Sequence, residues 1–164
     1  MKFIISKNKG FSLIELIVAI AIFAILSSIA VPSFIGWRDK AKIRDAVSTL
    51  RGDLELSKSR AIQENELVTL LFNTDGYTIF MDDGSGGGVT GNWVRDGSEL
   101  LLLNRELPTG VVIDLAGPDF FDSDRTRFNG RGRIINLGVV TIVSHAGEQR
   151  QLDINNRFGR ISIN

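Results

Sequence analysis

The chain has 164 residues, with 19 basic and 19 acidic side chains, one histidine and no cysteine. A length of about 150 residues is typical of one domain, and a formal net charge of zero argues against a globally basic nucleic-acid-binding protein. The absence of cysteine excludes disulfides, zinc–thiolate sites and cysteine nucleophiles, and a single histidine leaves little material for a His-based triad. The composition gives no support to an enzyme and predicts no cofactor, metal or small-molecule substrate.

A long apolar segment dominates the N-terminal part of the chain. Residues 11–36 carry one charge, Glu15, whereas residues 1–10 contain three lysines. About 20 apolar residues are enough to cross a membrane, and no small-residue cleavage motif of a secretory signal follows the segment. We therefore expect a retained single-pass helix whose lysine-bearing end is cytoplasmic, by the positive-inside rule.

Glu15 is the unusual residue of this segment. A carboxylate in an apolar helix costs about 2.5–3.5 kcal/mol near the middle of a bilayer, and such residues usually have a partner. In the headgroup layer, by contrast, Glu15 needs none. Cleavage between Gly10 and Phe11 would create an α-amine four residues upstream of Glu15, and this cation could pair with the carboxylate within one chain or between neighbours.

A second helical segment follows the apolar one. From about Ser33 to Glu64 the apolar residues recur at spacings of three and four, and charged residues, Asp53 among them, fill the other faces. This pattern predicts an amphipathic helix packed on the protein's own sheet, with a coiled coil as the alternative. Pro32 lies near the junction, where a proline removes a helical hydrogen bond and costs about 3 kcal/mol in a helix interior.

From Leu67 onward the pattern is typical of short strands closed by Gly, Asn and Asp. Residues 67–73 and 77–83 predict a hairpin around Thr74-Asp75-Gly76. Further strands are predicted at residues 100–103, 111–115, 126–128, 138–143, 151–154 and 159–163. The predicted fold class is α+β: a long N-terminal α-helix, half transmembrane and half amphipathic, packed on a C-terminal antiparallel β-sheet or small sandwich.

The N-terminal sequence resembles a known processing signal. The string Lys9-Gly10-Phe11-Ser12-Leu13-Ile14-Glu15 is similar to the class III signal of type IV pilins and of the pseudopilins of type II secretion. The resemblance implies cleavage after Gly10 by a prepilin peptidase, N-methylation of Phe11, and pairing of Glu15 with the Phe11 amine of a neighbouring subunit during filament assembly. It also implies a bend or local melting of the helix at Pro32. The expected organisation is a cleaved leader at 1–10, a transmembrane and filament-core helix at 11–36, an amphipathic helix at 37–65 and a β-rich head at 66–164.

The head carries a second resemblance. Residues 127–132, 138–142 and 157–161 look like the globular domain of the GspH/FimT group, which contains FimT- and FimU-like minor pilins and the H-type pseudopilin of type II secretion. The implied function is that of a minor pilin, a structural or initiating subunit of a type IV pilus, with the type II secretion pseudopilin as the alternative. The implied partners are other pilins or pseudopilins, the prepilin peptidase and the inner membrane, with the head in the periplasm before filament assembly.

Arginines are concentrated at the C-terminus. Residues 125–164 contain seven arginines against two acidic residues, whereas residues 61–124 contain two basic residues against twelve acidic ones. We expect these arginines to pair with the acidic segment inside the head. DNA binding is the alternative, because FimT-like pilins that take up DNA are similar in having a C-terminal Gly-Arg-x-Arg patch. Here Gly159-Arg160-Ile161-Ser162 lacks the second arginine, and strand alternation places Arg157 and Arg160 on opposite faces.

Two acidic loops, residues 82–88 and 119–124, offer oxygen atoms that could bind Ca²⁺, but neither has the spacing of an EF-hand loop. Exposed turns that use Asp and Gly for their backbone conformation explain both loops. His145 is expected in a β-turn, with no chemical role.

Overall fold

A computed structural model of the chain describes residues 11–117, 120–121, 124–154 and 161–163, without the side chain of Pro32. Helix α1 spans Leu13–Glu64. It is followed by the strands β1 Val68–Asn73, β2 Gly76–Met81, β3 Leu101–Glu106, β4 Val111–Asp114, β5 Arg125–Phe128, β6 Ile134–Ile135, β7 Val139–Ser144, β8 Gln149–Asp153 and β9 Ser162–Ile163. The chain forms two compact units, Met1–Arg38 and Asp39–Asn164, and α1 contributes to both. The predicted α+β class is confirmed.

The second part of α1 buries one face in the head, the unit formed by residues 39–164. The side chains on this face are fully buried and follow helical spacing: Ile43, Ala46, Val47, Leu50, Leu54 and Ala61. They share one hydrophobic core with residues of both sheets, such as Leu70 and Ile142. The apolar stripe therefore packs on the protein's own strands, as its periodicity predicts.

The strands form two antiparallel sheets, with the orders β3-β2-β1-β5-β6 and β4-β7-β8-β9. The predicted hairpin is present, and its strands pair from Val68↔Met81 to Asn73↔Gly76. Gly76 lies so close to the backbone of Arg105 that no Cβ fits there. Strand β5 joins the other side of β1 through Val68↔Phe128. The two-residue strand β6 was not predicted, because Ile134–Ile135 is too short to show an alternating pattern.

A buried polar cluster ties α1 to the first sheet. Tyr77 Oη donates to Asp53 Oδ2 at 2.6 Å, and Arg105 donates to the same carboxylate through Nε at 3.1 Å and Nη2 at 3.3 Å. Asp53 is only 9% exposed, so its assignment to the polar face of the helix is wrong. Its charge is compatible with burial because a cation and a phenol both donate to it. Burial first, and then Asp53, raise the pKa of Tyr77 well above its ordinary value of 10.0.

This raised pKa predicts a loss of stability in alkali that can be measured on one group, because Tyr77 is the only tyrosine of the chain. Above about pH 10 the unfolded chain releases the phenolic proton while the folded chain keeps it, so the free energy of unfolding falls as pH rises. Phenolate absorbance should therefore appear only when the circular dichroism of the head is lost. Tyr77→Phe should remove this pH-dependent component. Ionisation at about pH 10 in a still folded head would contradict the prediction.

Candidate functional site

The first part of α1 presents apolar side chains to its surroundings. Leu13, Phe23 and Ile29 are 76%, 73% and 71% exposed. Within the described residues, α1 is the one helix long and apolar enough to cross a membrane by length and composition. An apolar surface of this extent is typical of segments covered by lipid or by other proteins. The segment therefore needs a partner that the chain itself does not supply.

A helix cap defines where this segment starts. Ser12 Oγ accepts a hydrogen bond from the backbone N–H of Glu15 at 3.3 Å, and the Ser12 carbonyl accepts one from Leu16 N at 3.2 Å. Ser-x-x-Glu is the spacing of a capping box, in which Ser satisfies a free N–H of the first turn. The carboxylate also lies at the positive end of the helix dipole. This cap was not predicted from the sequence, although Ser and Glu three positions apart, directly before an apolar run, are its signal.

Glu15 is exposed, and the structure shows no ion pair for it among the described residues. Phe11, four residues earlier, is also exposed, at 83%. The Glu15 carboxylate is therefore accessible to a cation from elsewhere, such as a neighbouring molecule. Gly10 lies outside the described residues, so cleavage after it, methylation of Phe11 and the charge pair with Glu15 stay predictions.

Ser28 and Pro32 are two further residues of the apolar segment that affect hydrogen bonding along the helix backbone. Ser28 Oγ donates to the carbonyl of Ile25 at 2.7 Å, so this hydroxyl has a partner within its own helix. Such an internal bond lets a hydroxyl enter an apolar environment at little cost. At position 32 the backbone is α-helical. The bend assigned to Pro32 stays a prediction.

The head also contains a fully buried ion pair, between Asp82 and Arg127. Arg127 Nη2 donates to Asp82 Oδ2 at 2.7 Å, and the two side chains are 5% and 0% exposed. The guanidinium carbon also lies 3.4 Å from the centre of the Trp93 ring. Burial lowers the pKa of Arg127, and the charge of Asp82 opposes this shift. Asp82 was predicted to lie in an exposed turn, which is wrong.

The loop from Asp82 to Glu99 is organised by its carboxylates. Asp82 also accepts from Gly91 N at 2.6 Å and Trp93 N at 3.0 Å. Glu99, 1% exposed, accepts from Gly84 N at 3.0 Å and Asp96 N at 3.1 Å. These oxygens therefore satisfy the backbone of the loop. In the second acidic loop, residues 119, 122 and 123 lie outside the described residues.

The seven arginines of residues 125–164 fall into four groups. Arg125 Nη1 donates to the Trp93 carbonyl at 3.5 Å. Pairing with the acidic segment is confirmed for Arg127. It is wrong for three exposed arginines that have no ion pair among the described residues: Arg131, Arg133 and Arg150. Arg157 and Arg160 lie outside the described residues, so DNA binding through them stays a prediction. His145 lies in the turn between β7 and β8, as expected.

Two sequence families match this combination of helix and head. Residues 5–31 match the prokaryotic N-terminal methylation motif. Residues 46–157, more than half of the chain, match the family described as Type II transport protein GspH. The chain belongs to the GspH family. The predicted membership of the pilin and pseudopilin group is thereby confirmed: this GspH-family protein is of the type IV minor pilin or H-type pseudopilin kind.

Solved structures of the same fold come from both kinds of filament. The minor pseudopilin EpsH of the Vibrio cholerae type 2 secretion system aligns with a TM-score of 0.54 and 13% identity, over 75% of this chain and 96% of EpsH. The type IV minor pilin FimU of Pseudomonas aeruginosa aligns with a TM-score of 0.55 and 15% identity, over 78% of this chain and 92% of FimU. At these identities the likeness shows the fold alone.

Curated relatives extend the comparison. Competence protein ComGD of Bacillus subtilis is 23% identical over 142 residues, which cover 87% of this chain and 85% of ComGD. The type IV major pilin protein PilA of Myxococcus xanthus is 40% identical over 53 residues, which cover 32% of this chain and 24% of PilA. The GspH-family chain thus matches ComGD along most of its length and PilA over about a quarter of PilA's length.

The Asp82–Arg127 pair predicts a strong dependence of the head's stability on Arg127. Arg127→Met leaves the Asp82 charge buried without its cation, and removing one partner of such a pair costs about 3–5 kcal/mol. Arg150→Met is the matched control, because Arg150 is exposed and surface substitutions usually change stability by less than about 0.5 kcal/mol. Urea unfolding of the two variants measures the difference. Equal midpoints would contradict the assigned role of Arg127.

Proposed function

We propose that this protein is a minor pilin, a structural or initiating subunit of a type IV pilus without catalytic activity. The observation that carries the proposal is the exposed apolar helix that starts at the Ser12–Glu15 cap and leads into a head with a core of its own. Such a helix serves as a membrane anchor before assembly and as a packing element afterwards. Other pilins are the partners that this arrangement requires.

Processing prepares the helix for assembly. The precursor crosses the inner membrane once, with its lysine-bearing end in the cytoplasm and its head in the periplasm. A prepilin peptidase cleaves after Gly10, and Phe11 is then N-methylated. Cleavage removes the three lysines of residues 1–10, leaving 16 basic against 19 acidic residues, and it leaves an α-amine at Phe11.

The charge at Glu15 then directs how the subunit enters the filament. A carboxylate among packed apolar helices is costly unless a cation pairs with it. The Phe11 amine of a neighbouring subunit supplies that cation. Packing against the helices of neighbouring subunits replaces the lipid contacts. The charge pair then fixes how far neighbouring helices are shifted along each other, because only one shift both covers the apolar side chains and brings the Phe11 amine to Glu15.

Three features favour the type IV pilus over type II secretion. The Ser12-Leu13-Ile14-Glu15 start and Pro32 both resemble type IV pilins, and the 40% identity to PilA is a likeness to a type IV pilin. The runner-up is an H-type pseudopilin of type II secretion, and the fold likeness does not separate the two, because EpsH and FimU align with nearly equal TM-scores. A role in DNA uptake is supported only by the name of ComGD and by Arg157 and Arg160.

Glu15→Ala tests the proposal. We expect the variant to accumulate in the membrane and to be absent from the pili sheared off the cells. The reason is that the Phe11 amine of the neighbouring subunit then has no carboxylate to pair with. Glu55→Ala is the matched control, since Glu55 is an exposed glutamate on the same helix. Immunoblots of the two fractions give the result. Incorporation of Glu15→Ala at the wild-type level would contradict the charge-pair assignment.

A strain without the protein separates the two filament types. A minor pilin predicts fewer surface pili by electron microscopy, restored by wild type and not by Glu15→Ala. Normal pili together with a defect in protein secretion would instead identify the pseudopilin.

A further inference from the structure

The uncharged part of α1 has a length that can be compared with the thickness of a membrane. Between Glu15 and Arg38 no residue is charged, and the backbone is α-helical throughout this stretch. At a rise of 1.5 Å per residue, residues 16–37 extend for about 33 Å. The hydrocarbon core of a bilayer is about 30 Å thick. The two charged residues are therefore separated by little more than one hydrocarbon core.

The small excess in length limits how far the helix can slide along the membrane normal. A shift by one helical turn, about 5.4 Å, would bring the backbone of either Glu15 or Arg38 into the hydrocarbon. Charged side chains are costly there. A narrow range of depths therefore keeps both charges in the headgroup layers, at opposite surfaces of the membrane.

Phe34 and Trp37 mark one of these surfaces. Their ring centroids lie 6.0 Å apart, with 33° between the ring planes, and both side chains are 61% exposed. Tryptophan is enriched at membrane–water interfaces, because its ring is largely apolar while its N–H needs a polar partner. Arg38 follows directly and is exposed, and a guanidinium group suits the geometry of lipid phosphates. The end of the span thus combines an aromatic pair with a cation.

We propose that Phe34, Trp37 and Arg38 form an interfacial anchor that binds the lipid headgroup layer at the periplasmic surface of the membrane. Together with the length of the uncharged span, this anchor holds Glu15 in the headgroup layer at the cytoplasmic surface. The carboxylate is hydrated there and needs no cation. The inference rests on the proposed function, in which the subunit is held in the membrane before assembly.

The anchor explains when Glu15 requires its partner. While the helix lies at this depth, water and headgroups surround the carboxylate. When the helix moves into a filament, the packed apolar helices exclude water, and a buried carboxylate then needs a cation. The Phe11 amine of a neighbouring subunit is therefore required during assembly and not before it.

Tryptophan fluorescence measures the depth of the anchor in the full chain, inserted into phosphatidylcholine vesicles. The chain has two tryptophans, and Trp93 belongs to the head, where its ring packs on Arg127. The difference between wild type and W37F therefore isolates the signal of Trp37. We expect lipids brominated near the ester end of the acyl chain to quench Trp37 more strongly than lipids brominated deep in the hydrocarbon.

W37F/F23W is the matched control, because it moves the tryptophan to the middle of the same span. Phe23 lies about 12 Å beyond Glu15 along the helix, and its side chain is 73% exposed. The tryptophan of this variant should show the opposite order of quenching, with the deep bromines more effective. Circular dichroism confirms that each variant keeps its helix.

Single cysteines report the other surface, since the chain contains no cysteine of its own. L13C lies on the leader side of Glu15, and A19C lies one turn inside the span. With a charged maleimide on both sides of the membrane, L13C should react about tenfold faster or more, because the reagent reaches A19C only through hydrocarbon.

Four results would overturn the proposal. These are deep quenching of Trp37 like that of W37F/F23W, no quenching of Trp37 by either lipid, equal labelling of L13C and A19C, and a wild-type chain that does not float with the vesicles. All measurements are made on the unassembled protein. Failure of the anchor is therefore distinguishable from failure of the filament function, which the Glu15→Ala experiment reports in cells.

Discussion

A helix surface that the chain cannot cover by itself is the constraint on which this protein depends. From Leu13 to Trp37 the large apolar side chains of α1 are exposed, and only lipid or other helices give such a surface a favourable environment. The one carboxylate of this surface, Glu15, limits which of those environments are stable. The helix is stable in a membrane if the Glu15 carboxylate reaches the headgroup layer. In a helix bundle it is stable only if a cation pairs with that carboxylate.

The rest of the chain forms a head whose stability does not depend on that surface. Its core is complete within residues 43–161, and two buried carboxylates fix its strands. Asp53 joins α1 to β2 and β3, while Asp82 joins Arg127 to the loop that follows β2. Removing one partner of a buried ion pair lowers the free energy of unfolding several times more than removing one partner of an exposed ion pair. The head is thus suited to move as a preformed body while its helix exchanges lipid for protein contacts.

Local patterns in the sequence were enough to predict α1, its buried stripe and the β1–β2 hairpin, because each depends on residues only a few positions apart. The partners of the two buried carboxylates could not be predicted in this way. Asp53 meets Tyr77 and Arg105 across 24 and 52 positions, and Asp82 meets Arg127 across 45. Such pairs are visible only after the sheet order is known. The processing signal was recognised because its residues are contiguous, from Lys9 to Glu15.

The central claim is that the apolar helix leaves the membrane to become part of a filament after cleavage beside Glu15. Mass spectrometry of the protein recovered from sheared surface filaments tests this most directly. We predict that its N-terminal peptide begins at Phe11 and carries one added methyl group, while a precursor beginning at Met1 occurs only in the membrane fraction. Filaments that contain the chain with an intact Gly10–Phe11 bond, or filaments that lack the chain altogether, would contradict the claim.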